Sequence, residues 1–368
     1  MIRLSKSCLG NAEKQTVLKV LDKEYLGMGD NVAEFEEQLS NFFNHPTVCV
    51  STGTAGLHLA LQSIGLGIGD EVLVQSLTYV ASFQAISATG AIPIACDIDS
   101  DTLTINITDA KSKLTKNTKA IMPVHYAGGV GNLYEVYQFA EDNNLRVIED
   151  AAHAFGTIYK DKKIGSFGDI VCFSFDGIKN ITSGEGGCVV TNDKKVLQNI
   201  QDSRLLGVEK DTENRFLNKR SWNFDVTNQG WRYHMSNIMA AIGVEQLRKF
   251  NEFAKKRQRL AQHYQNTLNK YSKIKLLALN YQQVVPHIFV IQVKNRDKVR
   301  EYLANKDVQT GIHFLPNHYL TFFRKNNITS LVNTDAIYPR LLTLPLHPDL
   351  TIENIDYVCK CLLEALVE

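Results

Sequence analysis

The chain has 368 residues, 44% of them hydrophobic and 21% charged, enough for about two domains and a substantial core. A formal net charge of +1 excludes a global attraction to nucleic acid or to an anionic membrane, so an anionic ligand must be met by local groups, and small-molecule partners are expected. Seven scattered cysteines without a CxxC spacing, no leader-like segment and no apolar stretch of about 18 residues point to a reduced, cytoplasmic protein.

Residues 11–25 carry apolar side chains at helical spacing (Val17, Leu18, Leu21) until Gly27 and Gly29 stop the pattern, and residues 32–43 form a second amphipathic segment. A short strand at 48–50 is followed by the small-residue turn STGTAG at 51–56 and a helical run at 57–64. Such a turn leaves unpaired N–H groups at the positive end of a helix dipole, which suits a phosphate; capping by Ser51, Thr52 or Thr54 explains the same residues. The glycines of 65–69 follow a helix rather than a strand, so they are not a dinucleotide loop.

Strands are expected at 71–75, 91–96, 119–123 and 145–148, with helices at 80–89 and 133–142 between them. Asp97, Asp99 and Asp101 lack the glycine and distal glutamate of a calcium loop and read as an acidic turn. His125 has no partners at metal-ligand spacing, and no metal is expected. This alternation without hairpin signals predicts an α/β fold with a mostly parallel sheet.

The strand at 145–148 stops at Glu149-Asp150, and a strand at 170–175 carries Ser174 and delivers Lys179 four residues beyond its end, in a Gly-flanked turn. Open α/β sheets place ligands at such carboxyl ends. Asp150 and Lys179 are the pair a pyridoxal 5'-phosphate (PLP) site needs: a carboxylate to keep a pyridine nitrogen protonated, and an amine to hold an aldehyde and later move a proton.

A strand at 189–191 and a helix at 192–205 complete this part. The polar stretch 209–226 reads as a functional loop or a solvated one, with Arg215, Lys219 and Arg220 available to a diphosphate. A helix at 238–247, a second at 247–271 with a basic face, alternation at 287–293, and helices at 298–306 and 351–367 predict a small α+β domain. The expected division is 1–246 for the large domain and 247–368 for the linker helix and small domain.

EDAAHAFG at 149–156 and FSFDGIKNITSGEGG at 173–187 closely resemble the DegT/DnrJ/EryC1/StrS family of sugar aminotransferases, and the resemblance covers nearly the whole chain. It implies the fold-type I aminotransferase architecture and PLP as cofactor. It also implies that the amides of Thr54 and Ala55 and the hydroxyl of Ser174 meet the phosphate, that Tyr79 stacks on the ring, and that His153 contacts the ring hydroxyl. Residues 230–235 read GWRYHM where the commoner family form is GYNYRM, so Arg232 replaces the asparagine that crosses a homodimer interface to the partner's phosphate. A guanidinium can still bind that anion. His313 and His318 fall in segments that approach the sugar side.

The resemblance further implies transfer from L-glutamate to a keto sugar linked to dTDP, GDP or UDP. The chain's start and its KNITSGEGG run look more like members aminating C4 of a 4-keto-6-deoxyhexose than C3 members. The expected destination is deoxyamino-sugar polysaccharide such as O-antigen. The alternatives are C3 amination, a family dehydratase, which the presence of Lys179 opposes, and a PLP-binding regulatory protein without turnover.

Overall fold

The computed structural model describes residues 1–217, 219, 222–325 and 330–367. Seven strands build the main sheet: β1 (Thr47–Val50), β2 (Glu71–Gln75), β3 (Ile92–Cys96), β4 (Thr118–Met122), β5 (Arg146–Asp150), β6 (Ile170–Ser174) and β7 (Gly187–Thr191). Their order is β1-β7-β6-β5-β4-β2-β3. Strands β3, β2, β4, β5 and β6 pair in parallel, and β7 runs antiparallel to both β6 and β1. The central strands are short runs rich in Val, Ile and Ala because crossover helices cover both faces, which removes the polar alternation of a half-exposed strand.

The chain leaves β2 for the edge strand β3 and returns to β4 on β2's other side. That reversal opens a crevice at the carboxyl ends of β2 and β4, and the last residues of β5 and β6, Asp150 and Ser174, stand in the same row.

The helix beginning after β1 starts at Gly53, four residues earlier than the apolar pattern implied, because Thr52 caps it: Thr52 Oγ1 accepts a hydrogen bond from the Ala55 amide at 3.0 Å. The two helical segments expected on either side of Leu247 are one uninterrupted helix, Asn237–Leu268, begun by Ser236, whose Oγ accepts from Met239 N. The polar stretch contains a short helix, Asp211–Phe216, held by an Arg215–Asp211 ion pair one turn apart. The expected strand at 287–293 runs Phe289–Val293 with every residue buried, which leaves His287 just outside it.

A second sheet, β8 (Ile274–Leu276), β9 (Phe289–Val293) and β10 (Leu341–Leu344), is antiparallel in that order. The long helix contacts helices Asn11–Asp22 and Asp30–Phe43 near the main sheet and helix Ile352–Ala365 near the small one. Beneath β6, Phe42, Phe43, Phe155, Phe173 and Phe250 pack edge-on and stacked, with centroids 4.8–5.6 Å apart. Gly156 lies against this cluster at φ +84°, and a Cβ there would fall 1.9 Å from the Phe250 ring. Only glycine lets the turn after β5 seat on the long helix. Among the described residues no helix is long and apolar enough to cross a membrane.

Candidate active site

A cavity of about 420 Å³ opens at the carboxyl ends of β2, β4, β5 and β6. Its floor is the start of helix Gly53–Ser63. A Cβ on Gly53 would lie 2.8 Å from Ser174 Cβ, so glycine allows this helix N-terminus to rest on the end of β6. Thr54 and Ser174 both line the space. A wider groove of about 880 Å³ at the small sheet, which includes Lys273, Lys275, Lys294, Lys298, Glu301 and Arg340 in its lining, lies away from the carboxyl ends of the main-sheet strands.

Asp150 is held from two directions. Its Oδ2 accepts from Ser82 Oγ at 2.7 Å and its Oδ1 from the Ala152 amide at 3.2 Å. Ser82 is fully buried and also shares a 3.1 Å hydrogen bond with Thr78 Oγ1. These bonds fix the carboxylate's orientation.

Lys179 lines the same cavity, and its turn is closed by the Lys179 amide donating to Asp176 O at 3.0 Å. Next to it, Asn180 Nδ2 donates to Phe155 O at 3.2 Å and Val285 O at 3.1 Å, so the turn is tied to the segments after β5 and before β9. Ser7 Oγ donates to Gly177 O at 2.5 Å from the other side. Burial lowers the Lys179 amine below the ordinary lysine range, while the Asp150 and Asp176 carboxylates oppose that shift. Its Nζ forms no hydrogen bond or ion pair among the described residues.

Three histidines line the same cavity as the amine. His153 is buried and held well below the usual imidazole range by burial and then by the charges of Lys179 and His313; its Nδ1 has no hydrogen-bond partner. His313 falls to about 4 through burial and the Lys179 charge, and its Nδ1 lies 2.8 Å from Thr343 Oγ1. His287 is buried beside His153. At the mouth, Tyr79 is 59% exposed with its ring 5.5 Å from that of Phe314.

Of the residues expected at the site, Thr54, Tyr79, Asp150, His153, Ser174, Lys179 and His313 come together on this cavity. Ala55 is buried just behind it, with its amide engaged by Thr52. His318 stands outside: its Nδ1 lies 2.7 Å from Ser76 Oγ and its Nε2 3.0 Å from Asp335 Oδ1, so both ring nitrogens are engaged. Asn317 Nδ2 donates to Ser76 O and Thr78 O, and the two neighbours together clamp the turn that carries Tyr79. Arg232 and Lys219 are exposed and do not line the cavity, and Arg220 lies outside the described residues. Ser82, His287 and Glu185 were not anticipated, whereas Phe314, which lines the cavity, follows His313 in the segment expected on the sugar side. Ser82 had a signal, since it follows Tyr79 by three residues on one helix face; His287 had none.

The donor set fits PLP. A helix N-terminus with a hydroxyl beside it suits a phosphate, a fixed carboxylate suits a pyridinium, and an unbonded amine suits an aldehyde. A buried imidazole nitrogen without a partner remains for a ring hydroxyl. The volume lies within the usual range for cofactor sites, roughly 300–1,000 Å³. No cluster of three or more metal-ligating side chains occurs among the described residues.

Sheet order, strand-end residues and cavity together define a fold-type I, PLP-dependent aminotransferase. The model of the DegT/DnrJ/EryC1/StrS aminotransferase family matches residues 7–363, and the chain belongs to that family. It is 33% identical over 364 residues to the spore coat polysaccharide biosynthesis protein SpsC of Bacillus subtilis, covering 96% of this chain and 94% of that protein. Among solved structures, the aminotransferase TlmJ of Streptoalloteichus hindustanus superposes with a TM-score of 0.92 at 27% identity, covering 100% and 99% of the two chains. The sugar aminotransferase CalS13 of Micromonospora echinospora gives 0.91 at 26% identity, covering 99% and 100%. The protein is a PLP-dependent sugar aminotransferase, an enzyme that uses a keto sugar and an amino donor.

Proposed function

We propose that this enzyme transfers the amino group of L-glutamate to C4 of a 4-keto-6-deoxyhexose linked to dTDP, GDP or UDP, working as a homodimer in deoxyamino-sugar polysaccharide synthesis. One observation carries the reading: an unbonded lysine amine and a doubly hydrogen-bonded carboxylate share one cavity at the strand ends. When bound, PLP supplies a conjugated ring that takes up the electrons left by a departing proton. Lys179 is the residue that would hold the aldehyde through Nζ and, when free, would carry the amino donor's α-proton on that nitrogen. Asp150 keeps the ring nitrogen protonated.

The Thr54 and Ala55 amides and the Ser174 hydroxyl are the phosphate's donors, which requires the Ala55 amide to be shared with or released from Thr52. His153 Nδ1 is the group left for the ring hydroxyl, and Tyr79 covers the ring from the mouth. Arg232 serves the partner's phosphate. Lys219 and Arg220 meet the sugar's diphosphate, and His313 meets its hydroxyls. His318 supports the sugar side at one remove, through the Tyr79 turn. The two domains divide at 246/247, within the long helix, because the small sheet has its own apolar cluster apart from the two that flank the main sheet.

The likeness to SpsC, a polysaccharide-biosynthesis protein, supports the sugar pathway, and the exposed Trp222 and Phe224 beside Arg232's loop support a second copy. The test is the purified enzyme with glutamate and a panel of nucleotide keto sugars, each product's amination position being read by NMR. Amination at C3 alone overturns the C4 assignment, and cofactor binding without turnover of any sugar overturns the reading as an acting transaminase.

A further inference from the structure

His287 lines the same cavity as Lys179 and has no role in the chemistry above. Its ring is 3% exposed and lies 4.4 Å from the His153 ring, the two planes tilted by 45°. Nδ1 of His287, like that of His153, is buried without a hydrogen-bond partner. A buried polar atom left unpaired costs about 1–3 kcal/mol, and of the unpaired ring nitrogens these two belong to histidines that line the cavity and are therefore available to a partner there.

The position of His287 is built rather than incidental. Arg257, buried in the long helix, donates from Nη1 to Pro286 O at 3.5 Å, His287 O at 3.2 Å and Leu346 O at 3.3 Å. Two residues upstream, Val285 O accepts from Asn180, the neighbour of Lys179. The small-sheet segment is therefore anchored to both the long helix and the lysine turn. The titratable and charged groups acting on the ring are Lys179, His153, Arg257 and His313; all bear positive charge when protonated, and none is a carboxylate. Burial first, and these cations next, keep the ring neutral. A neutral imidazole still has one nitrogen lone pair to offer.

We infer that His287 is a further catalytic residue, which accepts a hydrogen bond from Lys179 Nζ through its free ring nitrogen and steadies the positive charge the lysine nitrogen carries while it holds the proton. No proton leaves Lys179 for the ring: the lysine nitrogen gains the substrate's proton and later returns it, and the imidazole only accepts the hydrogen bond. Asp150 and Asp176 also face Lys179, but Asp150 already accepts two hydrogen bonds and Asp176 Oδ1 accepts one from the Ile178 amide at 3.3 Å.

The inference rests on the PLP role of Lys179, and the test separates the two. His287→Phe keeps the ring's shape and removes its nitrogens; His287→Asn gives up the shape and keeps an acceptor. In cofactor-loaded protein, the pH at which the bound-cofactor absorbance changes reports the charge on the lysine nitrogen. His287→Phe is expected to lower that pH by about one unit, since a hydrogen bond to a charged group is being removed. It should also slow the glutamate half-reaction about tenfold with little change in KM, and His287→Asn should recover part of both. Wild-type behaviour of His287→Phe in both readouts overturns the inference and leaves the ring as packing. Should His287→Phe fail to fold, His287→Asn decides: a midpoint and rate nearer wild type than those of His287→Ala uphold the acceptor, and equality with His287→Ala overturns it. A wild-type absorbance that survives Lys179→Ala instead overturns the role of Lys179 itself.

Discussion

Ser82→Ala isolates one hydrogen bond to the carboxylate on which the proposed chemistry depends. Ser82 Oγ lies 2.7 Å from Asp150 Oδ2, and no other donor reaches that oxygen among the described residues. A hydrogen bond to a charged group contributes about 1.5–3 kcal/mol, and each 1.4 kcal/mol corresponds to about a factor of ten. Without the hydroxyl, Asp150 loses one of the two hydrogen bonds that set its orientation toward the ring nitrogen. It is also free to turn about its last side-chain torsion, since only the Ala152 amide still holds it. The expected loss in kcat/KM is therefore about tenfold, reaching a hundredfold if no water replaces the hydroxyl. Steady-state kinetics with glutamate and the accepted sugar measure it, with cofactor absorbance and melting temperature as controls, and Ser82→Thr should restore most of the rate. A Ser82→Ala enzyme within twofold of wild type, at equal cofactor occupancy, refutes the reasoning.

Mixing Arg232→Ala with Lys179→Ala protein should return activity if each homodimer is nearly inactive, because a site shared between subunits puts both lesions in one site and leaves the other intact; no recovery in a verified mixed dimer removes Arg232 from the partner's site. Gly156→Ala should lower stability by about 2–5 kcal/mol, the sum of strain at positive φ and overpacking against Phe250, as read by urea unfolding; a loss below about 1 kcal/mol would mean the turn relaxes freely. Acid should destabilise the cofactor-saturated protein before its carboxylates titrate. His153 and His287 are held well below, and His313 and His347 at about 4, by burial first. The unfolded chain therefore binds more protons below its ordinary imidazole value of about 6.5, and stability is complete above that pH and lost as pH falls toward 4. Each fully buried ring adds up to about 1.4 kcal/mol per pH unit, and equal unfolding free energies at pH 7.5 and 5 would contradict this.

What could be read from the sequence follows from how the sheet is made. Parallel pairing brings the carboxyl ends of β2, β4, β5 and β6 to one edge, so a polar residue directly after a buried apolar run is delivered to the crevice by the chain itself. Asp150, Ser174 and Lys179 were legible for that reason, and the turn after β1 because a run of small residues announces a helix start. The family likeness added Tyr79 and His153, which also line the cavity, and His318, which lies outside it with both nitrogens engaged. Spacing cannot distinguish a histidine aimed into a cavity from one that clamps the turn behind it, because partners such as Ser76 and Asp335 come from other parts of the chain. The long helix was divided at Leu247 because an apolar run ends there and a segment with a basic face follows; its contacts pass from the N-terminal helices, still met by Arg248, Lys249 and Phe250, toward the small sheet. That passage also determines where His287 stands. Its approach to Lys179 depends on Arg257 gathering three carbonyls and on Asn180 holding Val285, contacts spanning 29, 30, 89 and 105 residues. A residue placed by such contacts leaves no periodic trace, so the groups that tune this site lie where sequence pattern is least informative and the anchoring hydrogen bonds are most so.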